Sequence, residues 1–277
     1  MTLPLPTSLS PSKVASFKDC ALAFRFSAID RLPEPTSPWT AKGTLVHRAL
    51  ERLFAEVPVG SRTLDAALAQ LAVAVEELRT DPDFTGLELD AEGEQAFHAD
   101  AVQLVHRYFE LEDPNRVRAV GLELKLEASL GSLKLRGIID RLDLDDDGEL
   151  VVVDYKTGKA PRQNFEQSRL GGVHFYAFLC QQVFGRRPAK VKLLYLADPV
   201  EIVATPSEQS VRGLQQRTSA VWTAVETACE RDDFRPKPSG LCNYCAFRAY
   251  CPAVGGDLAL ARAVVAEREL AQLPVPA

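Results

Sequence analysis

The stretch Leu133–Lys156, LKLRGIIDRLDLDDDGELVVVDYK, carries the pattern that decides the fold. Apolar and polar residues alternate on both sides of the turn sequence DDDG at 145–148, as is typical of β-strands joined by a tight turn. An earlier alternation, at Leu122, Leu124 and Leu126, predicts a further strand. We therefore expect an antiparallel meander of three short strands in the middle of the chain.

Charged residues interrupt these strands on faces where apolar residues are expected. Because side chains alternate between the two faces of a strand, Asp140 shares a face with Ile138 and Leu142. By the same rule Asp154 shares a face with Lys156, at the end of a strand that is otherwise Val and Leu. A carboxylate on an apolar face costs free energy unless a partner compensates for it. Pairing of the two strands would bring Asp140 and Asp154 close together.

Two neighbouring carboxylates repel each other unless a proton or a cation lies between them. A divalent metal ion removes this repulsion, and hard oxygen ligands favour Mg²⁺ or Mn²⁺. Lys156 beside such an ion would orient a water and stabilise negative charge on a phosphate. The alternative is an internal ion pair between Asp154 and Lys156, with Asp140 capping a turn. Gly137, which permits close approach of a ligand, and the donor-rich loop Thr157-Gly158-Lys159 favour the metal site.

Helical patterns with a period of 3.6 residues surround this sheet. The pair Ser10-Pro11 marks the start of the first helix, which we expect to continue through Phe24. Further helices are expected at about 40–54, 63–80, 91–112, 165–185, 207–231 and 257–272, and strands near 189–197 and 199–205. The predicted fold class is α+β with an α/β core, in which helices flank a small central mixed sheet.

The six cysteines divide into two groups. Cys180 and Cys229 lie in apolar helical patterns and are interpreted as core residues. The other four are a lone cysteine near the N-terminus and a Cys-x-x-Cys-x5-Cys cluster near the C-terminus: Cys20, Cys242, Cys245 and Cys251. An even number of cysteines does not imply disulfides in a reducing compartment.

The sequence Gly137-Ile138-Ile139-Asp140-Arg141, followed by Val153-Asp154-Tyr155-Lys156-Thr157-Gly158, resembles the core of the PD-(D/E)XK nuclease superfamily, and more narrowly the RecB-type exonuclease family. The resemblance implies a restriction-endonuclease-like α/β core and a single nuclease domain over residues 1–277. That domain would comprise a helical front at about 8–112, a sheet core at about 115–205 and a helical, cysteine-bearing tail at about 207–272.

The resemblance also implies roles for the residues that match the family's motifs. Asp140 and Asp154 would hold a Mg²⁺ or Mn²⁺ ion, and Lys156 would assist the attacking water. An upstream Gly-x-x-x-His motif is matched by Gly43 and His47, which implies that His47 is a further metal ligand.

The last family motif, a helical Gln-x-x-x-Tyr after the lysine, is matched only in part. Tyr176 occupies the Tyr position and is implied as a catalytic residue, but Gly172 occupies the Gln position. The contact made by the missing Gln is therefore in doubt. Glu123, in the strand before Asp140, is a candidate for an extra acidic ligand, although its alternation with leucines favours a solvated residue.

The cysteine pattern resembles the iron–sulfur subgroup of these nucleases, which includes the AddB nuclease domain and the CRISPR-adaptation exonucleases. The resemblance implies that a [4Fe–4S] cluster is held by Cys20, Cys242, Cys245 and Cys251. Four thiolates also suit tetrahedral zinc, and spacing alone does not distinguish the two. Either metal would join the N- and C-terminal segments and have a structural role.

The net charge limits the kind of nucleic-acid contact. The chain has 32 basic and 38 acidic residues, a net charge of −6, which argues against a protein that coats DNA. Residues 156–192 nevertheless contain eight Lys or Arg and one acidic residue, and we expect part of this basic segment to flank the active site and bind phosphates. No apolar run suits a membrane span and no secretory signal is recognisable, so we expect a cytoplasmic protein without a membrane contact.

Together these observations predict a Mg²⁺- or Mn²⁺-dependent deoxyribonuclease, which the family resemblance narrows to an exonuclease of DNA repair or recombination. The chain has no Gly-x-x-x-x-Gly-Lys-Ser/Thr motif, so ATP-driven unwinding would require a separate helicase subunit as a partner. Two alternatives stay open. One is a catalytically inactive DNA-binding or scaffold subunit of a helicase–nuclease system, and the other is a zinc-stabilised protein without a role in nucleic-acid chemistry.

Overall fold

The computed structural model of the chain describes residues 3–161 and 166–271, with the backbone alone at 166–170. The chain divides into two compact units. The first unit comprises Met1–Pro35, Ser129–Arg136 and Gln215–Ala277, and the second comprises Thr36–Ala128 and Gly137–Leu214. Both units are therefore built from segments that lie far apart in the sequence.

A five-stranded sheet runs through the middle of the described chain in the order β1-β2-β3-β4-β5. The strands are β1 (Ala119–Leu130), β2 (Leu133–Leu144), β3 (Leu150–Lys156), β4 (Lys190–Tyr195) and β5 (Val200–Ala204). β2 pairs with β3 and β4 pairs with β5 in antiparallel orientation, whereas β3 and β4 are parallel. The α+β class and the small mixed sheet are thus confirmed, as is antiparallel pairing of the second and third strands.

The described residues form helices before, within and after the sheet region. These are α1 (Pro11–Asp19), α2 (Ala21–Phe24), α3 (Pro38–Glu56), α4 (Leu64–Leu78), α5 (Pro82–Thr85), α6 (Ala91–Leu111), α7 (Glu166–Phe184), α8 (Glu208–Arg231) and α9 (Leu258–Ala271). None of the described helices combines the length and the apolar character needed to cross a bilayer.

The second unit has a continuous hydrophobic core in which α3, α4 and α6 share buried contacts with β3. The buried residues of α3 recur every three or four positions, which is the spacing of one helix face: Ala41, Lys42, Leu45, Val46, Ala49, Leu50, Leu53 and Phe54. On β3, Val151, Val153 and Tyr155 belong to the same core. Burial of this apolar surface fixes α3 against the strand, and His47 lies next to the buried face of α3.

In the first unit, α1 begins as the sequence predicts, because the Ser10 side chain accepts a hydrogen bond from the Lys13 backbone N–H. The predicted continuous helix through Phe24 is wrong. Cys20 has an extended backbone, with φ −159° and ψ 110°, and it ends α1 and precedes α2. A π-helix, Arg25–Ile29, follows α2. Cys20 therefore lies at a break between two helices instead of within one.

The burial of β2 also differs from the predicted pattern. Ile138, expected on an apolar face with Asp140, is 45% exposed, whereas Ile139 is buried. From Ile139 to Asp143 every residue is buried, so burial does not alternate in this part of the strand. Both faces of β2 are covered here, and three of the covered residues are charged: Asp140, Arg141 and Asp143.

Candidate metal centre and active site

The register of β2 and β3 determines where the two predicted aspartates lie. Arg141 pairs with Val153, so Asp140 and Asp154 occupy the next opposed positions along the two strands. The Asp140 carboxylate accepts a hydrogen bond from the Tyr155 backbone N–H at 2.7 Å. The structure therefore brings the two carboxylates of the predicted metal pair onto neighbouring strands, as the period-two pattern indicated.

His47 reaches the same place from α3. Its Nδ1 atom lies 3.6 Å from Asp140 Oδ2, and its Nε2 atom lies 3.1 Å from the Tyr155 carbonyl oxygen. The helix comes close to the chain after Lys156, because a β-carbon on Gly43 would lie 3.3 Å from Thr157 Oγ1. When Nε2–H donates to the carbonyl, the lone pair of Nδ1 faces Asp140, which is the tautomer a metal ligand needs.

Glu123 completes the described acidic group, and its placement differs from the solvated position favoured by the sequence. Ligand atoms of His47, Glu123 and Asp140 all lie within 4.8 Å of one another. Glu123 has a φ of +43° within β1, a conformation that residues with a β-carbon rarely adopt. Positive φ in a strand accompanies bulges, which redirect side chains near active sites. The alternating leucines around Glu123 do not indicate that its φ is positive or that its side chain lies in the site.

Asp154, Lys156 and Tyr176 form a contact chain beside this group. The Lys156 ammonium makes an ion pair with Asp154 Oδ2, and the Tyr176 hydroxyl donates to Asp154 Oδ1 at 3.4 Å. Asp154 Oδ2 is fully buried, and the Lys156 ammonium is the described cation beside it. Burial of this carboxylate would be costly without such a partner.

The surroundings raise the pKa of four groups at the site, those of His47, Glu123, Asp154 and Lys156. Burial, and then the neighbouring carboxylates, raises the pKa of Glu123, and burial likewise raises the pKa of Asp154 against the attraction of Lys156. Burial alone would lower the pKa of His47 and Lys156, but the adjacent carboxylates raise both. Carboxylates thus lie close to one another and to two basic groups in a partly buried place, an arrangement that a bound divalent ion would stabilise.

The donor set fits a hard divalent cation. One imidazole nitrogen and carboxylate oxygens from two strands converge, from His47, Glu123 and Asp140. Carboxylate and imidazole ligands of this kind suit Mg²⁺ and Mn²⁺. Of the residues proposed from the sequence, His47 and Asp140 lie together in this group, while Asp154, Lys156 and Tyr176 form the adjoining contact chain.

A buried ionic cluster next to the site was not anticipated. Arg141 is fully buried, and its guanidinium binds the carboxylates of Asp143 and Glu112 at 2.9 Å and 3.0 Å. It also donates to the Tyr155 hydroxyl at 2.7 Å and lies over the Phe54 ring at 4.5 Å. Arg141 and Asp143 are two residues apart in one strand, so they share a face. This spacing of two opposite charges is the feature of the sequence that could have indicated the ionic cluster.

The four predicted cluster cysteines lie together in the first unit. They line one cavity of about 470 Å³, whose other walls include Leu22, Phe26 and Val254: Cys20, Cys242, Cys245 and Cys251. Backbone N–H groups donate to three of the sulfurs, from Lys237 to Cys20 at 3.5 Å, from Ser239 to Cys242 at 3.3 Å and from Phe247 to Cys245. Burial and the other three thiols raise the pKa of Cys245. Among the described cysteines, no three sulfurs lie within 4.8 Å of one another.

The basic segment does not surround the site as a whole. Lys156 pairs with Tyr195 at the end of β3, whereas Lys190 pairs with Val151 near its start. Because β3 and β4 are parallel, Lys190 and the preceding Arg186 and Arg187 lie at the opposite end of the strand pair from Lys156. These residues are therefore not the part of the basic segment that flanks the site, and the expectation that another part does so stays a prediction. Arg162 and the Arg169 side chain lie outside the described residues.

Comparisons with known proteins bear on the family and the fold of this chain. The chain is 28% identical over 134 residues to the Gene 69 protein of Mycobacterium phage L5, an alignment that covers 47% of this chain and 44% of the phage protein. The chain thus spans less than half the length of that relative. A crystal structure of a candidate exonuclease from Eubacterium rectale has a TM-score of 0.51 at 12% identity, with 87% of each chain covered. At this identity the likeness shows the fold alone.

The family model of the PD-(D/E)XK nuclease superfamily matches residues 8–252, which is most of the chain. The matched range includes all of the second unit and the four cysteines of the first unit, Cys20, Cys242, Cys245 and Cys251. Members of this superfamily are metal-dependent nucleases, in keeping with the group of possible metal ligands formed by His47, Glu123 and Asp140. This chain belongs to the PD-(D/E)XK nuclease superfamily.

Proposed function

We propose that this chain is a Mg²⁺- or Mn²⁺-dependent deoxyribonuclease of the RecB type that degrades DNA from its ends and serves repair or recombination in the cytoplasm. The observation that carries the proposal is the convergence of a histidine, carboxylates and a lysine at the ends of β2 and β3. The resemblance of the motifs to RecB-type exonucleases, and the fold shared with the candidate exonuclease from Eubacterium rectale, support the narrower assignment.

His47, Asp140 and Asp154 would hold the metal, with Glu123 as a further ligand. A bound Mg²⁺ or Mn²⁺ ion supplies Lewis-acid polarisation of the scissile phosphate and lowers the pKa of a bound water. Lys156 holds its ammonium beside Asp154, where it positions the attacking water and stabilises charge that develops on the phosphate oxygens. Tyr176 holds the other Asp154 oxygen and so limits the rotation of that carboxylate.

We also propose that the four cysteines hold a [4Fe–4S] cluster with a structural role. The cavity that they line accommodates a group larger than one ion, and apolar walls together with backbone N–H donors suit a cluster of thiolate-bound iron. Tetrahedral zinc, with Zn–S bonds of about 2.3 Å, would require all four sulfurs about 3.8 Å apart. The described sulfurs are spread more widely than this.

DNA is the proposed partner, and a separate helicase subunit is proposed for substrates that require unwinding. We further propose that the two units act as one nuclease domain. The cleavage chemistry itself needs only the residues of the second unit, because His47, Asp140, Asp154 and Lys156 all belong to it.

The test is cleavage of linear and covalently closed DNA by the purified protein with Mg²⁺ or Mn²⁺. Linear DNA labelled at the 5′ or the 3′ end should lose its label in single-stranded or double-stranded form, while closed circles stay intact. Lys156→Ala should abolish the loss of label. Lys190→Ala, which removes an exposed lysine at the far end of β3 and β4, is the matched control and should retain activity.

A catalytically inactive DNA-binding subunit is the second candidate, and Gly172 in place of the motif's Gln is the observation that favours it. Binding of DNA without cleavage under every metal and substrate would support this candidate. Nicking of closed circles would identify an endonuclease instead. Cleavage that persists in Lys156→Ala would contradict the assigned role of the lysine.

A further inference from the structure

The buried cluster around Arg141 connects β2 and β3 with α3 and with the end of α6. Its guanidinium is enclosed by the carboxylates of Glu112 and Asp143 and by the hydroxyls of Tyr108 and Tyr155. Two elements outside the sheet, α3 through Phe54 and α6 through Tyr108, close the cluster. The result is a rigid charged core immediately behind the candidate metal centre.

Tyr155 connects this cluster to the metal centre through its main chain. Its hydroxyl accepts a hydrogen bond from Arg141 at 2.7 Å, and its ring is buried against Tyr108 and His47. Its backbone N–H donates to Asp140 at 2.7 Å, and its carbonyl oxygen lies 3.1 Å from His47 Nε2. Tyr155 therefore contacts two of the four proposed metal ligands through its main chain, and Arg141 holds its side-chain hydroxyl.

A cluster of this kind is difficult to explain by stability alone. Removing an arginine and two carboxylates from water is costly, and apolar residues of similar volume often give equal or greater stability. A guanidinium with several directional bonds does, however, fix the position of the groups that it contacts. Partners outside the ligand set are known to tune metal affinity by orienting the ligands.

We propose that Arg141 is a positioning residue of the metal centre, acting through Tyr155. The guanidinium holds the Tyr155 side chain, and this fixes the strand so that the Tyr155 N–H orients Asp140 and its carbonyl selects the His47 tautomer with Nδ1 free to bind metal. The inference rests on the proposed metal-dependent function, and it extends the set of residues that determine metal affinity beyond the ligands themselves.

Two tyrosine variants provide a matched test. Tyr155→Phe and Tyr108→Phe each remove one buried hydroxyl from the same guanidinium, but only Tyr155 has main-chain contacts with proposed ligands. Binding of Mn²⁺ alone is followed by electron paramagnetic resonance of the free ion, and folding is followed by thermal unfolding without metal. Tyr155→Phe should weaken Mn²⁺ binding about tenfold. Tyr108→Phe should lose thermal stability with an Mn²⁺ affinity close to that of the wild type.

Arg141→Lys provides a second variant that keeps the positive charge but lacks the forked donor geometry. It should weaken Mn²⁺ binding in the same direction as Tyr155→Phe, and saturating Mn²⁺ should restore much of the cleavage rate in both. Equal Mn²⁺ affinity in wild type and Tyr155→Phe, or equal losses in the two tyrosine variants, would overturn the positioning role while leaving the proposed function intact. A wild-type protein that binds no Mn²⁺ would overturn both.

Discussion

Glu123 combines a strained backbone with a carboxylate in the candidate site. Its φ of +43° lies in the left-handed region, which costs a residue with a β-carbon roughly 1–2 kcal/mol and costs glycine little. We expect Glu123→Gly to raise the free energy of unfolding of the metal-free protein by about 1 kcal/mol, because it relieves this strain and the repulsion from Asp140. The same variant should bind Mn²⁺ more weakly. Chemical denaturation and an Mn²⁺ titration measure the two effects.

Glu127→Gly is the control for this prediction. Glu127 is an exposed residue of the same strand, and its φ is not positive. Glycine at this position should lower stability, since it weakens the strand without relieving strain. Equal losses of stability in the two glycine variants would show that the left-handed conformation at Glu123 stores no strain.

At the residue scale, a candidate site residue could be predicted from the sequence where both its chemical type and its position in a regular pattern pointed to the site. Asp140, Asp154 and Lys156 were recognisable because charge interrupts an apolar strand, and His47 was recognisable from the spacing of its motif. Glu123 could not be placed, because a single positive φ breaks the alternation that the prediction assumes. Arg141 was missed for another reason, since arginine and aspartate two residues apart in a strand are ordinarily solvated although they share a face.

At the scale of elements, the contact between β2 and α7 determines where Tyr176 lies. A β-carbon on Gly137 would lie 2.8 Å from Leu179 Cδ1 and 3.3 Å from Tyr176 Cε1. Gly137→Ala therefore requires the side chains of Leu179 and Tyr176 to shift, and overpacking of this kind costs about 1–3 kcal/mol. We expect lower thermal stability and a lower kcat, because Tyr176 moves relative to Asp154. Thermal unfolding and steady-state cleavage kinetics check both effects.

Gly172→Ala, in α7 itself, is the matched glycine variant. A β-carbon at Gly172 meets no atom within 4 Å, so alanine adds no clash. Helix propensity then predicts a gain of about 0.5–1 kcal/mol in stability, with cleavage unchanged. If both alanine variants changed stability alike, the close approach of α7 to Gly137 would not be the cause of the loss.

Most elements were predictable because each carries a strong local signal. Period and capping located α1, α3, α4, α6 and α8 close to their observed positions, and the turn at 145–148 determined the pairing of β2 with β3. The parallel pairing of β3 with β4 follows from the intervening α7, which the sequence also indicated. The break at Cys20 was not visible, because the residues around it continue an apolar helical pattern and only the tertiary environment selects the extended backbone.

At the scale of the whole molecule, the two proposed metal sites belong to different units. The candidate active site lies within Thr36–Ala128 and Gly137–Leu214. The four cysteines lie in the first unit, which combines the N-terminal and C-terminal segments of the chain. A metal that is bound by both segments restricts the unfolded ensemble strongly, because the loop from Cys20 to Cys251 includes most of the sequence. Loss of this metal should therefore lower the stability of the fold more than it lowers the rate of DNA cleavage.

Two cysteine-to-serine variants test this proposed tether. Cys251 lines the cavity with the other cluster cysteines, whereas Cys180 is a core residue of α7 whose thiol pKa is raised to about 12 by burial, so it remains a neutral thiol. Wild-type protein purified without oxygen should be brown and contain about four iron atoms per chain. Cys251→Ser should lose iron and unfold at a lower temperature, while Cys180→Ser keeps its iron. A colourless wild type with one zinc ion per chain would contradict the cluster, because zinc requires the sulfurs to move together.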